Sequence, residues 1–164
     1  YRDWFKHVKH KKYSPVEARL NRPELYYCGA WGYNETYIQV LEYAIEKGLN
    51  SIALFDDDVY FHKDFNNLIQ KYSSTEEYEN ADLIYLGCRL QDIDRSTQPN
   101  LITEYPNKAL GSYGIILKSS AFHKVLDCLK LRNHVVDSKP LNQIVEGKKA
   151  LILREPLVLP EYAG

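Results

Sequence analysis

The sequence predicts an α/β domain with a central, mostly parallel sheet flanked by helices. Two observations lead there. Short apolar runs of strand length alternate with longer segments whose apolar residues recur at helical spacing, the order that layered α/β domains require. The run Ser51–Phe55 also leads straight into Asp56, Asp57 and Asp58, and open α/β sheets bind ligands beyond the carboxyl ends of their strands. With 164 residues, 45% of them hydrophobic, the chain reads as one domain, residues 1–164, with a sizeable core.

Asn34 is placed to cap a first helix in which Ile38, Leu41 and Ile45 share a face, and Gly48 to end it. Ser51–Phe55 follows as a short buried strand. Phe65, Leu68, Ile69 and Tyr72 recur at i, i+3, i+4 and i+7 and mark a second amphipathic helix. DLIYLG (82–87) is the next buried strand, and the polar residues 88–100, with Pro99 near their end, read as a long loop of the kind that binds or covers a ligand. YGIILK (113–118) is strand-like, and Ser119 or Ser120 caps a helix carrying Phe122, Val125, Leu126 and Leu129. Pro140 suits the first turn of a short helix with Leu141, Ile144 and Val145 inward, closed by Gly147, and ALIL (150–153) completes the series.

A net charge of −1 gives no general attraction to nucleic acid or an anionic membrane. The first dozen residues are locally basic (Arg2, Lys6, Lys9, Lys11, Lys12), which reads as a solvated helix face or, at most, a peripheral membrane or phosphate contact. Three separated cysteines, Cys28, Cys88 and Cys128, make no paired framework and favour a reducing, cytoplasmic setting with the thiols in the core. No apolar run is long enough to span a bilayer and no signal segment is visible, although a chain that begins at Tyr1 can be a piece of a longer one.

Three adjacent carboxylates repel one another, and a divalent cation relieves that repulsion. Hard oxygen ligands suit Mg²⁺ or Mn²⁺, which bind one or two carboxylates together with substrate phosphates. In an extended segment Asp56 and Asp58 point to one side and Asp57 to the other, so two carboxylates of a D-x-D can approach one ion. A solvated acidic turn is the plainer alternative for the same spacing. The five histidines show no zinc spacing; His62 follows the aspartates closely, and His134 lies near Asp137. Trp31 and the fourteen tyrosines include rings suited to a sugar face, but most such rings are core or half-buried.

GAWGYNETYIQVLEYAIEKGLNSIALFDDDVYFHKDF (29–65) resembles the central block of the family 25 glycosyltransferases, which include lipooligosaccharide and collagen galactosyltransferases. GSYGIILKSSAFHKVLD (111–127), VVDSKPL (135–141) and EPLVLP (155–160) are similar to that family's later segments, in the same order. The chain departs from the pattern at Ala30, where the family has Glu, and at Thr36-Tyr37, where it has Ser-His; the family's first strand is not evident before Tyr1. The resemblance implies a GT-A, Rossmann-like domain lacking that first strand. It also implies transfer of a sugar, a UDP-hexose being the expected donor, to a hydroxyl of a glycan or glycoprotein acceptor. Asp56 and Asp58 would hold Mn²⁺ or Mg²⁺ on the diphosphate, and Asp57 would contact substrate. Inverting transfer needs a base near the acceptor hydroxyl, for which Asp137 is the candidate; a helix N-terminal cap is the other reading of the same residue. Gly111, Ser112, Tyr113 and Gly114 are candidate substrate contacts, the glycines by letting a sugar approach the backbone and Tyr113 by stacking on a sugar face.

Two rivals stand beside this expectation. A response-regulator receiver would use ALFDDD as its acid pair and Lys139-Pro140 as its lysine–proline corner, but DLIYLG ends in Gly87 where a receiver needs a phosphoacceptor aspartate. A glycosyltransferase-like binding module without catalysis accounts for the departures at Ala30 and Thr36-Tyr37 but gives no reason to retain a repulsive triplet.

Overall fold

A computed structural model describes residues 28–90, 101–102, 109–147, 149–153 and 155–161. In chain order the elements are α1 (Cys28–Glu46), β1 (Ser51–Phe55), β2 (Val59–Phe61), α2 (Phe65–Ser73), α3 (Glu76–Asn80), β3 (Leu83–Leu90), β4 (Leu101–Ile102), β5 (Ala109–Lys118), α4 (Ser119–Lys130), α5 (Lys139–Glu146), β6 (Ala150–Leu153) and β7 (Val158–Pro160). The basic stretch at the start of the chain and residues 91–100 of the expected long loop lie outside the described residues.

The α/β class holds, but the sheet is mixed rather than mostly parallel. Five strands lie in the order β1-β5-β3-β6-β4, and only β3 and β6 pair in parallel. Strands β1, β3 and β6 share one direction, as helical crossovers require, while β5 runs against them between β1 and β3. The alternation of helices and strands gives the direction of β1, β3 and β6 but says nothing of a strand inserted between them. A second, two-stranded antiparallel ribbon joins β2 to β7.

Alternating side chains of the strands serve two cores. Leu83, Tyr85, Ile115, Leu117, Ala150 and Ile152 face α1, α4 and α5. Ile84, Leu86, Leu151 and Leu153 face the other way, against Tyr72 and Leu157, with Phe65, Leu68 and Ile69 of α2 packed on the same cluster. Strand β1 is less buried than expected: Ser51 and Ala53 are exposed, because among the described residues it pairs only with β5.

Two helix starts differ from expectation. Helix α1 begins six residues before Asn34, which is buried mid-helix and bonds elsewhere. Helix α4 follows Lys118 with no side-chain cap, and Ser120 Oγ instead donates to Asp82 Oδ1 at 2.6 Å. Gly48, at φ +62°, terminates the turn after α1 in the left-handed conformation that glycine takes without penalty. Cys88 and Cys128 are both buried, as expected of core cysteines. Among the described residues no helix is long and apolar enough to cross a membrane.

Candidate functional site

The antiparallel setting of β5 builds the site. Because Phe55 pairs with Gly114 and Ser51 with Lys118, the carboxyl end of β1 lies beside the first half of β5. A parallel β5 would have carried Gly111–Gly114 to the far end of the sheet. Instead the Asp56 N–H donates to the Tyr113 carbonyl at 3.1 Å. Asp56–Asp58 do not continue the strand as the alternation argument assumed; they form the bend that turns the chain from β1 into β2. The Glu161 N–H donates to the Asp58 carbonyl at 2.8 Å and ties this bend to the end of β7. Asp57 and Asp58 are exposed, and Asp56 is half-buried.

Beneath Asp56 lies a polar network that sequence reading missed. Tyr33 of α1 donates its hydroxyl to Asp56 Oδ1 at 2.8 Å, and the same hydroxyl lies 2.9 Å from Ser112 Oγ and 3.4 Å from the Tyr37 hydroxyl. Ser112 is 2% exposed, so its hydroxyl meets Tyr33 rather than an open surface where a substrate could reach it. Burial keeps the Tyr33 phenol protonated far above its ordinary range, and burial pushes that of Tyr37 up to about 12. Both rings are therefore neutral at every physiological pH. Burial also raises the Asp56 carboxyl above its ordinary value; the Tyr33 hydrogen bond opposes the rise, and the charges of Asp58, Asp57 and Asp137 add to it.

Asp137 reaches the same cluster. Its Oδ2 accepts the Gly111 N–H at 3.3 Å, and Gly111 holds φ +73° with the Tyr113 ring where a Cβ would project. The cap alternative for Asp137 fails, since Ser138 holds the N-cap position of α5. Two buried residues of α1 fix this segment. Asn34 Nδ2 donates to the His134 carbonyl at 2.7 Å, and the Val136 N–H donates to Asn34 Oδ1 at 3.0 Å. Glu35 pairs with Arg132 at 2.6 Å, and the Arg132 guanidinium lies over the Trp31 ring at 5.3 Å. Trp31 is 4% exposed and is a core residue rather than an open sugar platform.

Gly114 faces Val158 and Phe55, whose atoms stand 2.9–3.1 Å from where its Cβ would be, so its missing side chain admits protein packing. Tyr113 packs half-buried against the second core. A cavity of about 1080 Å³ runs along β1 and opens beside Asp56 and Asp57. Its walls include Tyr33, Tyr37, Ile52, Leu54, Phe61 and Lys63. His62 also lines it, with Nδ1 accepting the Asp64 N–H at 3.1 Å and Nε2 3.6 Å from a Glu155 carboxyl oxygen.

The donor chemistry of the bend, carboxylate oxygens on the half-buried Asp56 and the exposed Asp57 and Asp58, is of the hard kind that a divalent cation takes together with substrate phosphates. Among the described residues no group of three or more His, Cys, Asp or Glu side chains is gathered for a metal. The sequence signal that was available for the missed residues lay in α1 itself, where Tyr33 and Tyr37 follow i, i+4 on the side of the helix that meets Asp56 and Ser112, with Asn34 beside them turned to the 134–136 segment. No protein-family model matches the chain, and no curated protein matches it.

Proposed function

We propose that the chain is a metal-dependent glycosyltransferase of GT-A type, moving a hexose from a UDP-sugar to a hydroxyl of a glycan or glycoprotein. The observation that carries this reading is the meeting of Asp56, Gly111 and Ser112 of β5, and Asp137 at one end of the sheet, beside a large cavity. These are the segments whose order resembles the family, and they stand up to 81 positions apart in the chain (137 − 56). Asp56 and Asp58 would hold Mn²⁺ or Mg²⁺, which supplies charge to the departing diphosphate. The apolar walls along β1 suit the base and ribose of a nucleotide, and Lys63 adds a cation at the same cavity. Asp137 is the base. The Gly111 N–H holds its Oδ2, and Oδ1 takes the proton of the acceptor hydroxyl as that oxygen bonds to the sugar carbon.

A second reading, a binding module of the same fold without transfer, is favoured by the gathering of fewer than three candidate ligands among the described residues. A thermal-shift panel of UDP-, GDP-, CMP- and dTDP-sugars, with and without Mn²⁺, separates the two when followed by a transfer assay. The expected result is a shift with Mn²⁺ plus one nucleotide class, roughly 5–10 °C at a hundredfold excess over Kd, and its loss in Asp58→Ala with the fold intact. Binding that survives in Asp58→Ala sinks the metal-site assignment. Binding without transfer to any acceptor leaves the module reading standing.

A further inference from the structure

The carboxylates of the bend are held unequally. Among the described residues no side chain bonds Asp57 or Asp58, whereas Asp56 is fixed at both its backbone and its carboxyl group. Tyr33 has a single hydroxyl hydrogen, and it goes to Asp56 Oδ1 at 2.8 Å. Its oxygen can then only accept from Ser112, 2.9 Å away, so the direction of the chain is set: Ser112 donates to Tyr33, and Tyr33 donates to Asp56. The Tyr37 ring packs on the Tyr33 ring at 5.0 Å and restrains it from the side. One carboxyl oxygen is thereby fastened to α1 and β5 together, and the rotamer of Asp56 is set before any ligand arrives.

We infer that Tyr33 is a positioning residue for the cation site, its hydroxyl holding one oxygen of Asp56 and leaving the other for a divalent ion. Ser112 supports it through the same hydroxyl. The inference rests on the proposed metal site. It goes beyond that reading by assigning to α1, a helix that contributes no metal ligand, the task of ordering the ligand that β1 delivers. Hydrogen-bond partners that orient a ligating carboxylate typically change metal affinity ten- to hundredfold when removed. Tyr33→Phe keeps the ring and its packing on Tyr37 and removes only the hydroxyl.

The test is Mn²⁺ binding to the full chain in the presence of UDP, followed by the electron paramagnetic resonance signal of free Mn²⁺, with thermal unfolding of the metal-free protein measured alongside. Wild-type, Asp58→Ala, Tyr33→Phe, Ser112→Ala and the Tyr33→Phe/Ser112→Ala double variant are compared. Tyr33→Phe is expected to weaken Mn²⁺ about tenfold or more, Ser112→Ala to weaken it less, and the double variant to match Tyr33→Phe, since Ser112 works through Tyr33. A merely structural tyrosine would lower the unfolding temperature of the metal-free protein and leave Mn²⁺ affinity unchanged. Wild-type binding that is lost in Asp58→Ala but kept in Tyr33→Phe overturns the positioning role alone. Absence of Mn²⁺ binding in the wild type overturns the site itself and the inference with it. Should Tyr33→Phe fail to fold, Ser112→Ala decides: unchanged Mn²⁺ affinity there counts against the chain.

Discussion

On the helical face of the sheet, the aspartate bend rests on a bonded polar group, the half-buried Tyr33 with the buried Tyr37 and Ser112, while the adjacent Asn34 of α1 holds the segment that carries Asp137. On the ribbon face the same bend meets rings. Phe55, Phe61 and Phe65 pack edge-on with centroids 5.0–6.4 Å apart, while Tyr60 and its register partner Leu159 lie exposed. Hydrogen bonds are directional and fix geometry; apolar contact is tolerant of small displacements. Asp56 belongs to the first face through its carboxyl group, and Asp58 to the second through its carbonyl. The carboxyl group of Asp56 is thus fixed by side-chain hydrogen bonds, whereas Asp58 is held through its backbone alone, on a ribbon seated by apolar packing.

That contrast depends on the ribbon being seated at all, and the largest expected effect comes from unseating it. Strand β7 crosses the sheet at Gly87, where an added Cβ would lie 2.0 Å from the Val158 carbonyl oxygen. Backbone stands in the way, so no rotamer change relieves the contact. Gly87→Ala should cost about 3 kcal/mol, read from urea unfolding, because β7 must lift from β3. A cost under about 1 kcal/mol would show that the ribbon is loosely held and that its face of the bend has no fixed position.

Asn34→Ala tests the other face. It deletes two hydrogen bonds and leaves the buried Val136 N–H without its acceptor, for an expected loss of about 2 kcal/mol. Because Asn34 holds the segment that carries Asp137, the proposed transfer should fall further than stability alone explains. An activity unchanged at temperatures where the variant stays folded would detach Asp137 from this support.

Much of this arrangement was legible in the residues, and the parts that were not share a cause. Helical spacing marks α2, α4 and α5 because each is one-sided: Phe65, Leu68 and Ile69, or Phe122, Val125 and Leu129, line a single face. Helix α1 hid its start because its inner face is partly polar, and Asn34, which resembles a cap in sequence, is spent on a tertiary bond. Likewise ALIL was readable as β6, but no local pattern shows that YGIILK would run antiparallel between β1 and β3. Strand direction is a property of the pairing, not of the segment. The aspartates were visible as a cluster; their inequality was not, since it arises from Tyr33 and Ser112, 23 and 56 positions away (56 − 33 and 112 − 56).

The smallest expected effect bears on that inequality most directly. Burial, with the neighbouring charges of Asp58, Asp57 and Asp137, raises the Asp56 carboxyl in the folded protein above its unfolded value. The folded state therefore binds this proton more tightly. The resulting stability is fully present below the unfolded carboxylate value of about 3.9 and is lost as pH rises through the higher folded value. At neutral pH without metal, the ionised group works against folding. Asp56→Asn keeps an oxygen for the Tyr33 hydroxyl and removes the charge, so the metal-free variant should unfold at a slightly higher temperature than wild type at pH 7, with the gap closing in acid. Mn²⁺ with UDP should reverse the order by stabilising only the wild type. Equal unfolding curves for the two proteins from pH 3.5 to 7 would mean that solvent already screens Asp56, and the two halves of the bend would then differ in geometry but not in charge.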